Sequence, residues 1–205
     1  MDRYWLITWT CYGRRLPGDR RGFVGNVREP DGTHVCHNTP GTPPDADLPG
    51  LEAWVREHMR GEPVSLGRAE ADAVLAQYQE TARVRGWRLE AASVMNDHTH
   101  LVVGACGDPD PDHLRRTFQS WATRAVKTLR PLPPNGTFWT AKGSERKLED
   151  ESALAAAVVY VTRKQPDPLA TWWAAGWQDA LDGHDRSEAS RAPEHPASRA
   201  PSGAG

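Results

Sequence analysis

The sequence predicts an α+β domain on a ferredoxin-like, RRM-like split βαβ plan: an antiparallel sheet with an additional C-terminal helix that carries Tyr160. Three observations predict it. Short runs rich in aromatic and β-branched residues read as strands, longer stretches carry apolar residues at helical spacing, and the two alternate in the order strand, helix, strand, strand, helix, strand, helix.

The first strand is "RYWLITWTCY", residues 3 to 12. From about 13 to 67 the chain turns to Gly, Pro, Asp and Thr, which reads as a long loop insertion, interrupted by a possible short helix at "LEAWVREHM". In "RAEADAVLAQYQETARVRG", Ala71, Val74, Leu75, Tyr78 and Ala82 form the stripe of an amphipathic helix, and Gly86 stops it. "WRLEAASVM" and "THLVVGAC" form a hairpin turned at "NDH". A second helix opens at "DPDPDH", carries Leu114, Phe118, Trp121 and Ala125 on one stripe, and ends at "PLPP". "GTFWTAKG" is a short strand, and "DESALAAAVVYVTRKQ" a third helix that stops before Pro166. Residues 1–182 thus make one domain, and the Ser, Ala, Pro, Gly and charge of 183–205 read as a disordered tail.

With 205 residues, 38% of them hydrophobic, the chain can bury one core. It has no apolar run long enough to span a membrane and no secretory signal pattern, so the expected location is the cytoplasm. Cys11, Cys36 and Cys106 form no paired motif and read as free thiols. His34, Cys36 and His37 in "THVCHN" lack a fourth ligand at fitting spacing and read as loop residues. The net charge of -2 is not that of a generally basic nucleic-acid binder. The cations are clustered, however, with Arg14 and Arg15 in the first loop, Arg115, Arg116, Arg124 and Lys127 on the second helix, and Lys142, Arg146, Lys147 and Lys164 after it. One basic face on a near-neutral protein follows from such clustering as readily as a mixed surface does.

"VMNDHTHLVVG" places two histidines in a strand that otherwise reads as buried. Strand geometry sends His98 and His100 to one face and Thr99 to the other, with the imidazoles about 6 to 7 Å apart, close enough to share a cation. Two satisfied structural histidines are the alternative. Among the tyrosines, Tyr4 and Tyr12 belong to the first strand and Tyr78 to a helix stripe, while Tyr160 lies in the third helix among Ala and Val.

These stretches, together with "ITWTCYGRRLPGDRRGFV", "FWTAKGSERKL" and "AVVYVTRKQ", resemble the HUH single-tyrosine transposases of the REP-associated tyrosine transposase type over roughly residues 4 to 172. The resemblance implies metal-dependent cleavage and strand transfer of single-stranded DNA through a covalent 5'-phosphotyrosine intermediate. Tyr160 would be the nucleophile, and His98 and His100 would hold Mg2+ or Mn2+. An amide one helical turn after the tyrosine often completes the ligand set in that family. Here that position is Lys164, so Gln165 becomes the third ligand if the helix changes course before Pro166. Asp97 reads first as a turn residue, and its alternative role is to orient an imidazole.

The resemblance further implies recognition of single-stranded or hairpin DNA, and a protein that gathers on the nucleoid when bound. It allows either a monomer or a homodimer exchanging the tyrosine helix. The clustered cations would neutralise phosphates, and Trp5, Trp9 and Trp139 would either stack on bases or lie in the core. Two other functions fit the same residues: a noncatalytic nucleic-acid-binding module, and a metal-dependent phosphodiesterase that uses water.

Overall fold

The computed structural model describes residues 2–19, 25–28, 34–37 and 49–191, with 25–28, 34–37 and 189–191 described by their backbone. Its centre is an antiparallel five-stranded sheet. Strand β1 (Asp2–Cys11) pairs with β5 (His98–Cys106) on one edge and β6 (Trp139–Leu148) on the other, and β5 pairs with β4 (Arg88–Val94). This order, β6-β1-β5-β4, is the predicted split βαβ sheet. A short strand, β7 (Ala170–Trp173), extends it beyond β4 and was not anticipated from the sequence.

The helices start where local chemistry dictates. Helix α2 (Arg68–Arg85) ends at Gly86, whose φ of 66° suits a residue without a Cβ. Helix α3 (Pro111–Lys127) has Asp110 accepting from the Asp112 N–H at its start and Pro111 in the first turn. Helix α4 (Glu151–Arg163) is capped by Asp150, which accepts from the Ala153 N–H at 2.7 Å.

Two cores sandwich the sheet. The odd-numbered residues of β1, Trp5, Ile7, Trp9 and Cys11, join Leu101 and Val103 of β5 against α2 and α3. On the opposite face α4 packs Leu154, Ala157, Val158 and Val161 against Ala91, Val102 and Leu148. The sequence plan left that second face open; α4 covers part of it by burying Leu154, Ala157, Val158 and Val161 there.

The insertion at 13–67 contains more structure than a loop. Strands β2 (Gly25–Arg28) and β3 (His34–His37) form a two-stranded sheet, so His34, Cys36 and His37 belong to a strand. Helix α1 (Pro49–Glu57) occupies the short helix position. At the other end, helix α5 (Gln178–Arg191) runs past Gly183, into residues assigned above to a disordered tail. Leu181 of α5 is fully buried against the α4 core, which gives this polar helix its anchor. Residues 192–205 lie outside the described residues.

Arg115, proposed above as a phosphate contact, is fully buried. Its guanidinium donates to Glu145 and Asp112, to Gln119 Oε1 at 2.9 Å and to the Ala141 carbonyl at 3.1 Å, clamping α3 onto β6. A side chain with its donors engaged below the surface has nothing left for DNA. Arg115→Ala should destabilise the fold by about 3 kcal/mol, because it strips two carboxylates of a buried partner. Urea unfolding would show this, whereas a loss of DNA affinity with unchanged stability would contradict the assignment.

Candidate active site

The register of the sheet sorts its second face into rows. Thr8 lies opposite both His100 and Ser144, and Ser93 opposite both His100 and Thr171. Ser144, Thr8, His100, Ser93 and Thr171 therefore stand abreast on five strands, and every one is polar. One row along, Leu6, Val102, Ala91 and Trp173 are apolar, with Arg146 at the β6 edge. Helix α4 covers the apolar part, and its C-terminal turn reaches the polar row.

That geometry brings together residues from distant parts of the chain. The rings of His98 and His100 meet edge to face at 4.9 Å between centroids. The Tyr160 ring lies 5.3 Å from that of His100. Tyr160 is 43% exposed, so it is not part of the α4 core, whereas Tyr78 is fully buried in the other core. Tyr4 packs over Gly104, where a Cβ would come within 2.5 Å of its ring, and the Tyr12 hydroxyl accepts from the Arg60 N–H at 2.9 Å.

The two imidazoles have different partners. His98 Nδ1 bonds the Asp97 carboxylate, whose other oxygen lies 3.9 Å from Arg15 Nε. Arg15 makes this approach from a left-handed backbone conformation, φ 52°. His100 Nδ1 lies 2.6 Å from Thr8 Oγ1, and its Nε2 is buried without a hydrogen-bond partner among the described residues. Burial drives the His100 pKa down to about 3; neighbouring His98 and Arg15 push the same way, opposed by the side-chain amide of Gln165, which faces the ring as a hydrogen-bonding group, and by the Asp97 charge. The ring is thus neutral, the state in which an imidazole can ligate a cation.

Helix α4 ends just after Tyr160. Lys164 leaves the helical path at φ -103°, ψ 1°, and its ammonium pairs with Glu188 of α5. Gln165 folds back, its amide donating to the Tyr160 carbonyl at 3.2 Å. Of the two residues weighed as a third ligand, Gln165 is thus the one turned toward this end of the site.

Among the described residues no group of three His, Cys, Asp or Glu side chains is arranged to hold a metal ion. The set His98, His100 and Gln165 is a different one, two imidazoles and an amide. Its chemistry fits a divalent cation: His98 is oriented by a carboxylate, and His100 offers an unpartnered buried nitrogen. Imidazole suits Mn2+ better than Mg2+.

The other proposed DNA contacts differ in position. Arg14 is engaged with the Val64 carbonyl at 3.1 Å and the Ser65 hydroxyl, holding the chain there. Arg116 pairs with Asp112 but stays largely exposed, Arg124 covers the Trp121 ring at 4.1 Å, and Lys147 pairs with Asp108 at 3.1 Å. Lys127 and Lys142 are exposed, and Arg146 is exposed as well. Trp5, Trp9 and Trp139 are buried in the core and cannot stack on bases. The row partners of His100 went unnoticed in the sequence. Thr8 and Thr10 alternating with Trp and Ile in "WLITWTC" were the available signal.

The depressed His100 pKa gives the metal-free protein an acid-sensitive fold. Unfolded His100 takes up a proton near its ordinary 6.5, whereas the folded ring resists to about 3. Its contribution to stability is therefore fully present above 6.5 and is lost as the pH falls toward 3. In EDTA the urea midpoint should fall across that window, and less steeply in His100→Gln. Identical slopes in the two proteins would contradict the burial of a neutral ring.

No protein-family model matches the chain, and no curated protein matches it. Among solved structures it is similar to a REP-associated tyrosine transposase bound to a REP hairpin, with 13% identity and a TM-score of 0.40 over 78% of this chain and 64% of that one. The chain thus spans less than two thirds of that protein. It is also similar to a candidate transposase from Deinococcus radiodurans R1, with 13% identity and a TM-score of 0.42 over 74% of this chain and 83% of that one.

Proposed function

We propose that the chain cleaves and rejoins single-stranded DNA through Tyr160, as a transposase or a domesticated descendant of one acting beside hairpin DNA. The observation that carries this reading is the meeting of an exposed tyrosine with two same-face histidines, brought together from distant parts of the chain by the packing of α4 on the sheet. A structural pair of histidines would need no solvent-exposed phenol beside it.

In this reading the Tyr160 hydroxyl attacks a phosphodiester phosphorus. The bond to the 3'-oxygen breaks, that oxygen takes up a proton, and the phosphate stays on the tyrosine as a 5'-linked diester. The phenolic proton passes to water, which the exposed side chain reaches. A 3'-hydroxyl attacking the phosphotyrosine reverses these bonds and joins a strand without an external energy source. His98, His100 and Gln165 would hold Mg2+ or Mn2+, which stabilises negative charge on the nonbridging oxygens. Arg15, near Asp97, and exposed Lys142 and Arg146 would bring the backbone of the strand to the site.

The test uses 5'- and 3'-labelled single strands from DNA flanking the gene, with Mn2+ or EDTA. An adduct that survives denaturation should form on the 5' end of the cleaved strand, need Mn2+, and disappear in Tyr160→Phe. Cleavage without an adduct would replace this reading with a water-using phosphodiesterase, and hairpin binding without cleavage with a binding module. Separately, Lys142→Ala and Arg146→Ala should each reduce the slope of log affinity against log salt by about 0.7, the value for one phosphate contact on a single strand. Unchanged slopes would remove these residues from the interface.

A further inference from the structure

We propose that Thr8 is a positioning residue for His100: its hydroxyl accepts the Nδ1 proton and so keeps the Nε2 lone pair available to a cation. This inference rests on the reading of His98 and His100 as ligands. A neutral imidazole carries one N–H, and the partner of one nitrogen decides what the other presents. For His98 the partner is a carboxylate, which can only accept, so Nδ1 carries the proton.

For His100 the partner is a hydroxyl at 2.6 Å, which can donate or accept. The burial of the ring favours one choice. If Thr8 donated, the proton would sit on Nε2, which is buried and closes no hydrogen bond in the structure, with Gln165 the one neighbour on hand to accept it. A buried N–H that closes no hydrogen bond is disfavoured against one that has a hydroxyl acceptor in place. With Thr8 accepting, both histidines carry their protons on Nδ1 and leave the Nε2 lone pair free for a cation.

The sheet enforces the contact. Thr8 and His100 are direct partners across the β1–β5 register, between the Leu6/Val102 pair and the Thr10/His98 pair. A threonine is also the side chain that suits the position, because its β-branch favours the strand while its hydroxyl is the acceptor. Valine keeps the shape and removes the acceptor.

The experiment compares wild type, Thr8→Val and Thr8→Ser. Ring 15N shifts read the His100 tautomer in metal-free protein, a paramagnetic-resonance titration reads Mn2+ affinity, and thermal melts check folding. Wild type and Thr8→Ser should carry the proton on Nδ1 and bind Mn2+ similarly. Thr8→Val should lose that preference and bind Mn2+ about 10- to 100-fold more weakly. A wild-type proton on Nε2, or equal Mn2+ affinity in wild type and Thr8→Val, overturns the inference and leaves the metal reading standing. Failure of folded wild-type protein to take up Mn2+ overturns the metal reading, and the role of Thr8 with it.

Discussion

Strand β5 runs between β1 and β4 with helices packed on both faces of its sheet, and that confinement fixes the direction of every side chain along it. A slip of one residue would send His98 and His100 into the core with α2 and α3 and turn Leu101 and Val103 out of it. The hydrophobic core on one face therefore holds the register that sets the histidines on the other. Their neighbours follow from the same pairing, since Thr8, Ser93, Ser144 and Thr171 are fixed by strand alignment and not by loop conformation.

Helix α4 is the second half of the device. Its apolar residues match the apolar rows of the sheet, and coverage stops where the polar row begins. Tyr160 sits at that boundary, part exposed, beside a buried imidazole. The same helix buries Ala157, Val158 and Val161, so the tyrosine is held by rigid structure although it remains open to solvent. Asp150 at its start and the fold-back of Gln165 at its end fix how far it extends. If Tyr160 is the nucleophile and the histidines are cation ligands, then the two are held by separate elements whose relative position depends on packing.

Much of this was legible in the sequence because it depends on period. The two-residue alternation separated His98 and His100 from Thr99, and element order predicted the sheet. What escaped depends on contacts between distant segments. Arg115 looked like Arg116, its neighbour on a basic helix, until packing buried the one against Glu145 and left the other in solvent. Trp5 and Trp9 read more readily as core than as base-stacking residues, and their burial bears that out, although alternation alone gives a face without saying what covers it. Strand β7 is only four residues long, and α5 is polar apart from the buried Leu181, so neither carries a strong local signal. Thr8 acquired meaning only when the register set it opposite His100.

The most direct measurement of the central claim is anomalous diffraction from Tyr160→Phe crystals grown with Mn2+ and a single strand spanning the cleavage site. One Mn2+ peak should lie within bonding distance of both His98 and His100, with a DNA phosphate against it and the ring of residue 160 facing that phosphate. Mn2+ bound away from the histidines, or the strand lying on a face that does not include them, would contradict a tyrosine attacking a cation-bound phosphate at this site.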